Sequence, residues 1–480
     1  MKSSTLPHSH ELFPLVQDVH RGILSPEEAL LKIQPIQIIR LISSSIEETH
    51  KARLIAKGHG VSSGCASGRA CFSSDMVLKT AKKGFPAILL LSMTRADDTE
   101  AMRMAQGILT LHGGTASHAA IISRTWNKPC VVGVSSLISD QKQMIITEGE
   151  DITLNGLTGE VWLGKCQVLP AKPEPFLSTI LQWADAVRKD KIGIRVNADT
   201  YEELALAIAQ GAEGVGVCRT EHMFTRKEYL PLIQRAILTQ EKDVFDNLKI
   251  IQRDDFKRLF SILEGRPITV RLLDAPLHEF LPQAEIEEKN PMLGLRGIRL
   301  AIHKPILYRT QMEAFFEAYQ ECVLERMQVD LEIMVPLVAC EEELTQAREW
   351  FEEIWESSSL FPVHSVRFGT MIETPRAALI ADKLAEEAEF FSFGTNDLTQ
   401  MTYGFSRDDM HTHFLDASLM DLYLSKGILK EDPFTQIDVK GVGSLMRLAI
   451  EKGKTTRPHL KVGVCGEQAS SLDSLLFYLD

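Results

Sequence analysis

The sequence predicts an α/β protein made of two successive α/β units, the second of which is a (β/α)8-type barrel. Seven strand-like runs alternate with helical segments between residues 192 and 467, a pattern typical of parallel strands joined by crossover helices. Charged residues cluster where these runs end, and that end of a (β/α)8 barrel carries the chemistry. Only residues 468–480 follow the seventh run. We therefore expect the last strand and helix of the barrel to be missing.

Bulk properties narrow the class of protein. A chain of 480 residues suggests two to four domains. The net charge of −13 argues against a nucleic-acid surface. The eight cysteines form no CxxC pair, which disfavours a zinc site or a disulfide framework and favours a reducing cytoplasm. The longest apolar run, residues 85–93, is too short to span a membrane, and the N-terminus lacks a signal-peptide core.

Composition divides the chain into four parts. Residues 1–58 are predicted to be a helical arm, because apolar residues recur at helical spacing as far as residue 57. Residues 59–165 contain short strand-like runs in a compact α/β unit. Residues 166–191 hold three prolines within six positions and are predicted to be a linker. Residues 192–480 form the barrel.

The stretch LHGGTASHAAIISR, residues 111–124, places two glycines and two hydroxyl residues ahead of His118. Gly113 and Gly114 let the backbone approach a bulky anion. A helix that begins at Ser117 and His118 offers free N–H groups and a positive dipole to phosphate, and imidazole can accept a phosphoryl group. The alternative is an N-capped helix that carries a surface histidine; combined with the barrel, the pattern favours the phosphate site.

Glu373 and Asp397 both follow apolar runs that end at the same predicted rim. Two carboxylates with open positions suit Mg²⁺, which binds few protein groups and keeps other positions for water or substrate oxygens. The alternative is a pair of helix caps, or ion pairs with cations such as Arg376.

Arg219 and Arg271 end two other strands, and Cys465 ends the last one. Guanidinium groups bind carboxylate and phosphate bidentately, whereas the alternative is a set of rim salt bridges with Glu221 and Asp274. Two arginines that face a metal-binding carboxylate pair are what an anionic substrate requires. A thiol can donate a proton near neutral pH, although Cys465 taken alone is better explained as a small buried hydrophobic residue.

Long motifs follow one another in the order known from one family. They are GGTASHAAIISR, GVGVCRTEHMF, VRLLDAPLHEFLP, NPMLGLRGIRL, MIETPRAAL, FFSFGTNDLTQMTYGFSRDD and GVCGE. From about residue 15 to about residue 467 the chain resembles the PEP-utilising enzyme family, and within it the pyruvate phosphate dikinases. The first enzyme of the sugar phosphotransferase system has a similar barrel, but CRTEHMF and RLLDAPLHEFLP look like the dikinase versions.

The resemblance implies a swivelling phosphohistidine domain followed by a PEP/pyruvate barrel, and it assigns roles to individual residues. His118 matches the histidine that is phosphorylated, and Cys465 matches the proton donor to the enolate carbon. The other matched positions bind substrate, and the two carboxylates among them also bind Mg²⁺: Arg219, Arg271, Glu373, Gly394, Thr395, Asn396 and Asp397. The implied activity is a Mg²⁺-dependent exchange of a phosphoryl group between PEP and His118, which gives pyruvate.

Three departures from the family pattern bear on function. No segment resembles an ATP-grasp domain, Ala116 stands where plant members carry a regulatory threonine, and the sequence diverges after Glu467. We therefore expect a separate chain or a phosphocarrier to supply the ATP half-reaction, and the resemblance implies a homodimer through the barrel. Three alternatives stay open: an inactive or regulatory remnant that binds PEP, pyruvate or a partner, a split dikinase, and a first-enzyme-like component of a sugar phosphotransferase system. No nucleic-acid or membrane partner is expected.

Overall fold

The structure, a computed structural model, describes most of the chain. The described residues are 9–47, 52–94, 98–114, 117–138, 144–171, 174–189, 191–224, 226, 229–274, 276–281, 288–358, 366–411, 413–414 and 417–479. The chain divides into two compact units, the first formed by residues 1–191 and 408–430 and the second by residues 192–407 and 431–480. No helix in these described ranges is long and apolar enough to cross a membrane.

The first unit contains a sheet with short helices. Its helices are α1 Ser9–His20, α2 Pro26–Leu30, α3 Pro35–Ile42, α4 Ser74–Lys82, α5 Thr99–Met104, α6 His118–Thr125 and α7 Pro175–Arg188, with a 3₁₀ turn at Ser135–Leu137. Its strands are β1 Ser45–Glu47, β2 Arg53–Lys57, β3 His59–Ser62, β4 Cys65–Cys71, β5 Ala87–Leu91, β6 Gly107–Thr110, β7 Cys130–Val132, β8 Asp151–Asn155, β9 Glu160–Leu163 and β10 Gln167–Leu169.

Eight of these strands form one sheet in the order β2-β9-β8-β4-β5-β6-β7-β3, while β1 pairs with β10. The neighbours from β4 to β7 run parallel, and the outer pairs are antiparallel. The apolar runs predicted as strands between residues 85 and 164 are confirmed as β5 to β9. Because β6 and β7 are parallel, the residues after β6, which lead to His118, lie at the carboxyl end of the sheet centre.

The sequence prediction of helix through residue 57 is wrong at its end. Residues 53–57 form β2, which pairs antiparallel with β9. A short apolar run such as RLIAK is compatible with both the 3.6-residue period of a helix and the two-residue period of a strand. Pairing with a strand over a hundred residues away decides its conformation. A capping box starts α2: Ser25 Oγ accepts a 3.1 Å bond from the Glu28 N–H, and the Ser25 N–H donates to the Glu28 carboxylate at 2.8 Å.

The range predicted to be a linker contains β10 and the 14-residue helix α7. Helices α1, α3 and α7 share an apolar cluster formed by Leu12, Val16, Leu41, Phe176, Leu177 and Ile180. Proline at the first position of α7 starts this helix. Pro175 therefore marks a helix start, and the predicted arm and linker pack against each other. The roles assigned to the four sequence domains stay predictions.

The second unit alternates strands and helices. As far as residue 403 it contains β11 Val196–Asn197, α8 Tyr201–Ala209, β12 Val215–Arg219, α9 Glu221–Phe224, α10 Leu230–Leu238, α11 Lys242–Phe260, β13 Pro267–Arg271, α12 Leu277–Phe280, α13 Gly297–His303, α14 Ile306–Leu324, β14 Asp330–Val335, α15 Glu341–Glu356, β15 Arg367–Ile372, α16 Pro375–Leu379, α17 Ala381–Glu387, β16 Phe390–Phe393 and α18 Thr395–Tyr403. From residue 431 onward this unit adds α21 Val442–Thr456, β19 Lys461–Val464 and α22 Leu472–Leu479. Residues 408–430, which belong to the first unit, hold most of α19 Arg407–His411 and all of β17 His413–Phe414, β18 Ala417–Ser418 and α20 Leu419–Ser425. Two 3₁₀ turns occur at Pro291–Leu293 and Glu467–Ser470.

The seven predicted strands of the second unit are confirmed as one parallel sheet in the order β11-β12-β13-β14-β15-β16-β19. The strands in the middle of the sheet are buried on both faces, as expected when helices cover one face and side chains fill the other. Because all strands run in one direction, their carboxyl ends lie at a single rim, which positions the candidate site.

Contacts inside the second unit show that this sheet curls toward a barrel. The buried Glu332 of β14 binds side chains from four other strand segments: Arg195, Thr269, Arg367 and Lys461. At the other end of the strands, the Asn197 side-chain amide donates a 3.2 Å hydrogen bond to the Cys465 carbonyl. The first and last strands of the sheet therefore approach each other.

Candidate active site

The predicted residues of the second unit come together at the rim formed by the strand ends. Arg219 ends β12 and Arg271 ends β13. Glu373 follows β15, residues 394–397 follow β16, and Cys465 follows β19. Apolar runs fix where each strand lies, so the first polar residue after each run falls at this rim.

Arg271 is buried in a network of acidic groups. One terminal nitrogen pairs with Glu221, and the other lies 3.3 Å from Asp274 Oδ2. Burial opposes the charge of Arg271, but Glu221, Asp274 and Glu373 outweigh it and hold the pKa of this guanidinium well above its usual range. Within the described part of the chain, Arg271 Nε and Glu221 Oε2 are buried without a hydrogen-bond partner. The salt-bridge alternative is therefore realised, yet both partners keep unused hydrogen-bonding capacity.

Arg296 also belongs to this network, although the sequence did not reveal it as a site residue. Its Nε and Nη2 donate to the two oxygens of Asp274 at 2.9 and 2.7 Å, and its Nη1 lies 3.6 Å from Asp397 Oδ1. Arg296 precedes a helix rather than ending a strand, so the strand-end rule missed it. The signal in the sequence that could have found it is LGLRG, in which an arginine stands beside glycines. The structure gives the reason for the glycine at 297, because a methyl group there would lie 3.0 Å from Asp274 Oδ1.

Glu373, which is fully buried, and Asp397, whose side chain is 16% exposed, form a pair of carboxylates. Glu373 Oε1 accepts a 2.6 Å hydrogen bond from the Leu337 N–H. Burial, together with the negative charges of Asp397 and Asp274, raises the pKa of Glu373 to about 8. Burial also raises the pKa of Asp397, although the positive charge of Arg296 opposes this.

These two carboxylates fit Mg²⁺. Asp397 Oδ1 is buried without a hydrogen-bond partner among the residues described, and both carboxyl groups are disfavoured as anions. A divalent cation would offset that cost. No cluster of three or more His, Cys, Asp or Glu side chains suited to a metal occurs in the described ranges. Mg²⁺ often binds through only one or two carboxylates plus water and substrate oxygens, so a pair is sufficient.

The start of α18, with Gly394 as its N-cap and Thr395 and Asn396 as its first residues, is hydrogen-bonded to the 3₁₀ turn after β19. Thr395 Oγ1 donates to Gln468 Oε1 at 2.6 Å, and Asn396 Oδ1 accepts a 3.0 Å bond from the Glu467 N–H. A methyl group on Gly394 would lie 2.8 Å from Glu373 Oε2. Glycine therefore allows the start of α18 to approach the carboxylate pair closely.

Cys465 is held at the end of β19 beside the other site residues. Its N–H donates to the Phe393 carbonyl at 3.1 Å, and its Sγ lies 3.5 Å from the same oxygen. Burial raises the pKa of the Cys465 thiol, and the negative charge of Glu373 adds to the effect, whereas a hydrogen bond with Ser392 opposes it. The thiol therefore carries its proton at neutral pH. Cys465 also packs against an apolar cluster, so the structural alternative is present as well.

Arg219 is anchored through its backbone. Its N–H donates to Asp199 Oδ1 at 2.6 Å, and the other oxygen of Asp199 lies 2.6 Å from His222 Nδ1. Glu221 and Asp274, the two salt-bridge partners that the structural alternative named, both lie against Arg271. Asp199 and His222 were not recognised from the sequence, because neither ends a long apolar run.

In the first unit, α6 begins at His118 as predicted, and Ser117 is its N-cap, accepting a 3.4 Å bond from the Ala120 N–H. Gly113 has a φ of 110°, which favours glycine, and a methyl group there would lie 3.1 Å from Ser117 Cβ. Thr115 and Ala116 lie outside the described residues, as does the side chain of His118. The helix start and the glycine turn are thus confirmed, and the role of His118 stays a prediction.

The second unit is thus a curled parallel sheet of the (β/α) barrel type that carries arginines and paired carboxylates at one rim. Residues 177–479 match the model of the PEP-utilising enzyme, PEP-binding domain, and residues 85–159 match that of the PEP-utilising enzyme, mobile domain. The first match covers more than half of the chain, and the chain therefore belongs to the PEP-utilising enzyme family.

Among the curated relatives, the chain is similar to pyruvate, phosphate dikinases. It is 39% identical to pyruvate, phosphate dikinase 1 of Arabidopsis thaliana over 97% of its own length and 52% of the relative. It is 40% identical to the chloroplastic enzyme of Mesembryanthemum crystallinum over 96% of this chain and 52% of the relative, and 39% identical to dikinase 2 of Zea mays over 96% and 56%. The chain spans about half the length of these relatives.

Proposed function

We propose that this chain is a pyruvate phosphate dikinase-like phosphotransferase that exchanges a phosphoryl group between PEP and His118 and releases pyruvate. One observation supports the proposal above all: the buried guanidinium of Arg271, with an unpartnered Nε, shares a rim with the carboxylate pair of Glu373 and Asp397. This arrangement offers both positive charge and a cation site to a small phosphorylated acid.

Arg219 and Arg271 bind the carboxylate and phosphate of PEP, because the guanidinium fork matches both groups. Glu373 and Asp397 would hold Mg²⁺, which when bound supplies Lewis-acid stabilisation of substrate oxygens. Residues 394–396 border the substrate and keep Asp397 in place through their bonds to the turn after β19.

In the chemical step, the unprotonated imidazole nitrogen of His118 attacks phosphorus. The P–N bond forms as the P–O bond to the enol oxygen breaks, and the imidazole releases its other proton to solvent. The arginines stabilise the enolate oxygen. The Cys465 thiol then protonates the methylene carbon to give pyruvate, and the thiolate regains a proton from water. The raised pKa of Cys465 supports this role, because the thiol is protonated when the enolate forms.

The match of residues 85–159 to a mobile domain supports delivery of His118 to the substrate by movement of the first unit. A separate chain or a phosphocarrier would charge His118 from ATP, and a homodimer through the barrel is a further implication of the family. Mixing this chain with such a partner and ATP should label His118, whereas ATP alone should not.

Incubation of the chain with PEP labelled on phosphate and with Mg²⁺ tests the central step. An acid-labile label should appear on the protein and should disappear in His118→Ala. The matched control is His303→Ala, an exposed histidine on α13, which should label like the unmodified chain. No label on the unmodified chain would overturn the proposal. Calorimetric binding of PEP without labelling would instead support the binding-protein alternative.

A further inference from the structure

Polar residues alternate with apolar ones along the edge strand β11 and the residues on either side of it. Arg195, Asn197 and Asp199 bind other segments of the second unit, whereas Val196 and Ala198 pack into the apolar core. β11 pairs with β12 alone. The three polar side chains each bind a different segment, and Asn197 and Asp199 are the two that reach the candidate site.

Asn197 fixes the backbone at Cys465. The Cys465 N–H donates to Phe393 of β16 at 3.1 Å, which secures one side of this peptide unit. On the other side, the Asn197 Nδ2 donates to the Cys465 carbonyl at 3.2 Å. Asn197 thus supplies the donor that a neighbouring strand normally supplies. Since the Cα–Cβ direction follows the backbone, this bond controls where the thiol points.

Asp199 fixes the turn that follows β12. Its two oxygens bind opposite ends of that turn, the Arg219 N–H and the His222 ring, each at 2.6 Å. The same turn carries Glu221, which pairs with Arg271. The carboxylate is nearly buried, with 11% of its side chain exposed, so these contacts are strong and little screened. Glu203 in turn accepts a 3.0 Å bond from the Asp199 N–H.

We propose that Asn197 and Asp199 are positioning residues: Asn197 aims the Cys465 thiol, and Asp199 holds Arg219 toward the substrate. The inference rests on the proposed function, because it presupposes the roles of Cys465 and Arg219. The two residues act on different steps. Loss of Asn197 should slow proton transfer at the methyl carbon, whereas loss of Asp199 should weaken substrate binding.

Exchange of the pyruvate methyl protons with D₂O, in the presence of Mg²⁺ and followed by NMR, measures this proton transfer without requiring His118. In Asn197→Ala, kcat for exchange should fall about 10-fold or more with KM for pyruvate within about 2-fold, because a small misplacement of a reacting group is costly. In Asp199→Ala, KM should rise about 10-fold or more with kcat largely kept, since uniform binding is lost. Purely structural roles would not separate kcat from KM in this way.

Matched controls are Asn247→Ala and Asp246→Ala, which make the same changes at exposed neighbouring positions of α11. If either alanine variant fails to fold, Asn197→Leu keeps the size without the N–H, and Asp199→Asn keeps an acceptor for Arg219 while weakening the contact with His222. Asn197→Leu should repeat the loss of kcat, and Asp199→Asn should give a smaller rise in KM. Variants that behave like the controls overturn the inference and leave the proposed function standing. Labelling of His118 without any exchange in the unmodified chain also overturns the inference alone, whereas absence of both label and exchange overturns the proposed function as well.

Discussion

The buried Glu373 and the largely buried Asp397 follow the neighbouring strands β15 and β16, and the negative charge of Asp397 adds to burial in raising the pKa of Glu373 to about 8. Arg271 and Arg296 reduce this effect without cancelling it. When both carboxyl groups are ionised, their repulsion and their burial therefore destabilise the folded protein, and binding of a cation or a proton removes this effect.

The first prediction concerns the stability of the metal-free chain. In the folded protein Glu373 keeps its proton up to about pH 8, whereas in the unfolded chain it ionises near 4.5. The unfolded state therefore binds fewer protons between these values, and the contribution of Glu373 to stability falls as pH rises through this window. The free energy of unfolding of the unmodified chain, measured in urea relative to Glu373→Gln, should decline from pH 4.5 to about 8 and then level off.

The matched control for this measurement is Glu342→Gln, which changes an exposed glutamate of α15. It should leave the pH dependence of the unmodified chain in place. If the unfolding free energy of the unmodified chain instead rises with pH relative to that of Glu373→Gln, the assigned direction of the pKa shift is contradicted.

The second prediction concerns Mg²⁺. The proposed cation site exists only in the folded protein, so Mg²⁺ should stabilise the chain by about 2–3 kcal/mol at 100 times its dissociation constant. The stabilisation should increase with pH up to about 8, as the proton on Glu373 competes with the metal. Asp397→Asn should remove most of it. Thermal unfolding with and without chelator measures the effect, and an equal response in Asp397→Asn would place the cation elsewhere.

The third prediction compares the stability lost when a buried arginine and a more exposed arginine are replaced. Arg271→Met leaves the buried Glu221 without its cation, whereas Asp274 keeps its pair with Arg296. Removal of one partner from a buried ion pair typically costs about 3–5 kcal/mol. Arg309→Met removes a pair with Glu353 that is largely exposed, which should cost less than about 1 kcal/mol. Urea unfolding of both variants compares them. Equal losses would show that the rim network contributes no more than a surface ion pair.

The sequence predicted the parts of the site that depend on strand ends. Each apolar run fixed one strand, and parallel strands in chain order bring Arg219, Arg271 and Glu373 to one rim without further information. Arg296 could not be found in this way, because its position depends on how the start of α13 packs against Asp274.

The same limit explains the errors outside the site. The local pattern of residues 53–57 suits a helix or a strand, and only pairing with β9 makes it β2. The contact of Asn197 with Cys465 also depends on the curvature of the sheet, which brings the first strand close to the last. A local sequence pattern does not predict this curvature. Sequence periodicity thus gives the order of the elements, while long-range contacts decide which polar groups meet.

The fourth prediction uses the close approach of Gly394 to Glu373. A methyl group on Gly394 would lie 2.7 Å from Met371 Sδ and 2.9 Å from Glu373 Cβ, so one of these side chains must move. Gly394→Ala should therefore cost about 1–3 kcal/mol, displace the Glu373 carboxylate and abolish both the Mg²⁺ response and labelling by PEP. Gly463→Ala, where a methyl group meets nothing within 4 Å, should unfold like the unmodified chain. Thermal unfolding with and without Mg²⁺ compares the two, and a normal Mg²⁺ response in Gly394→Ala would show that the carboxylate pair does not depend on this close approach.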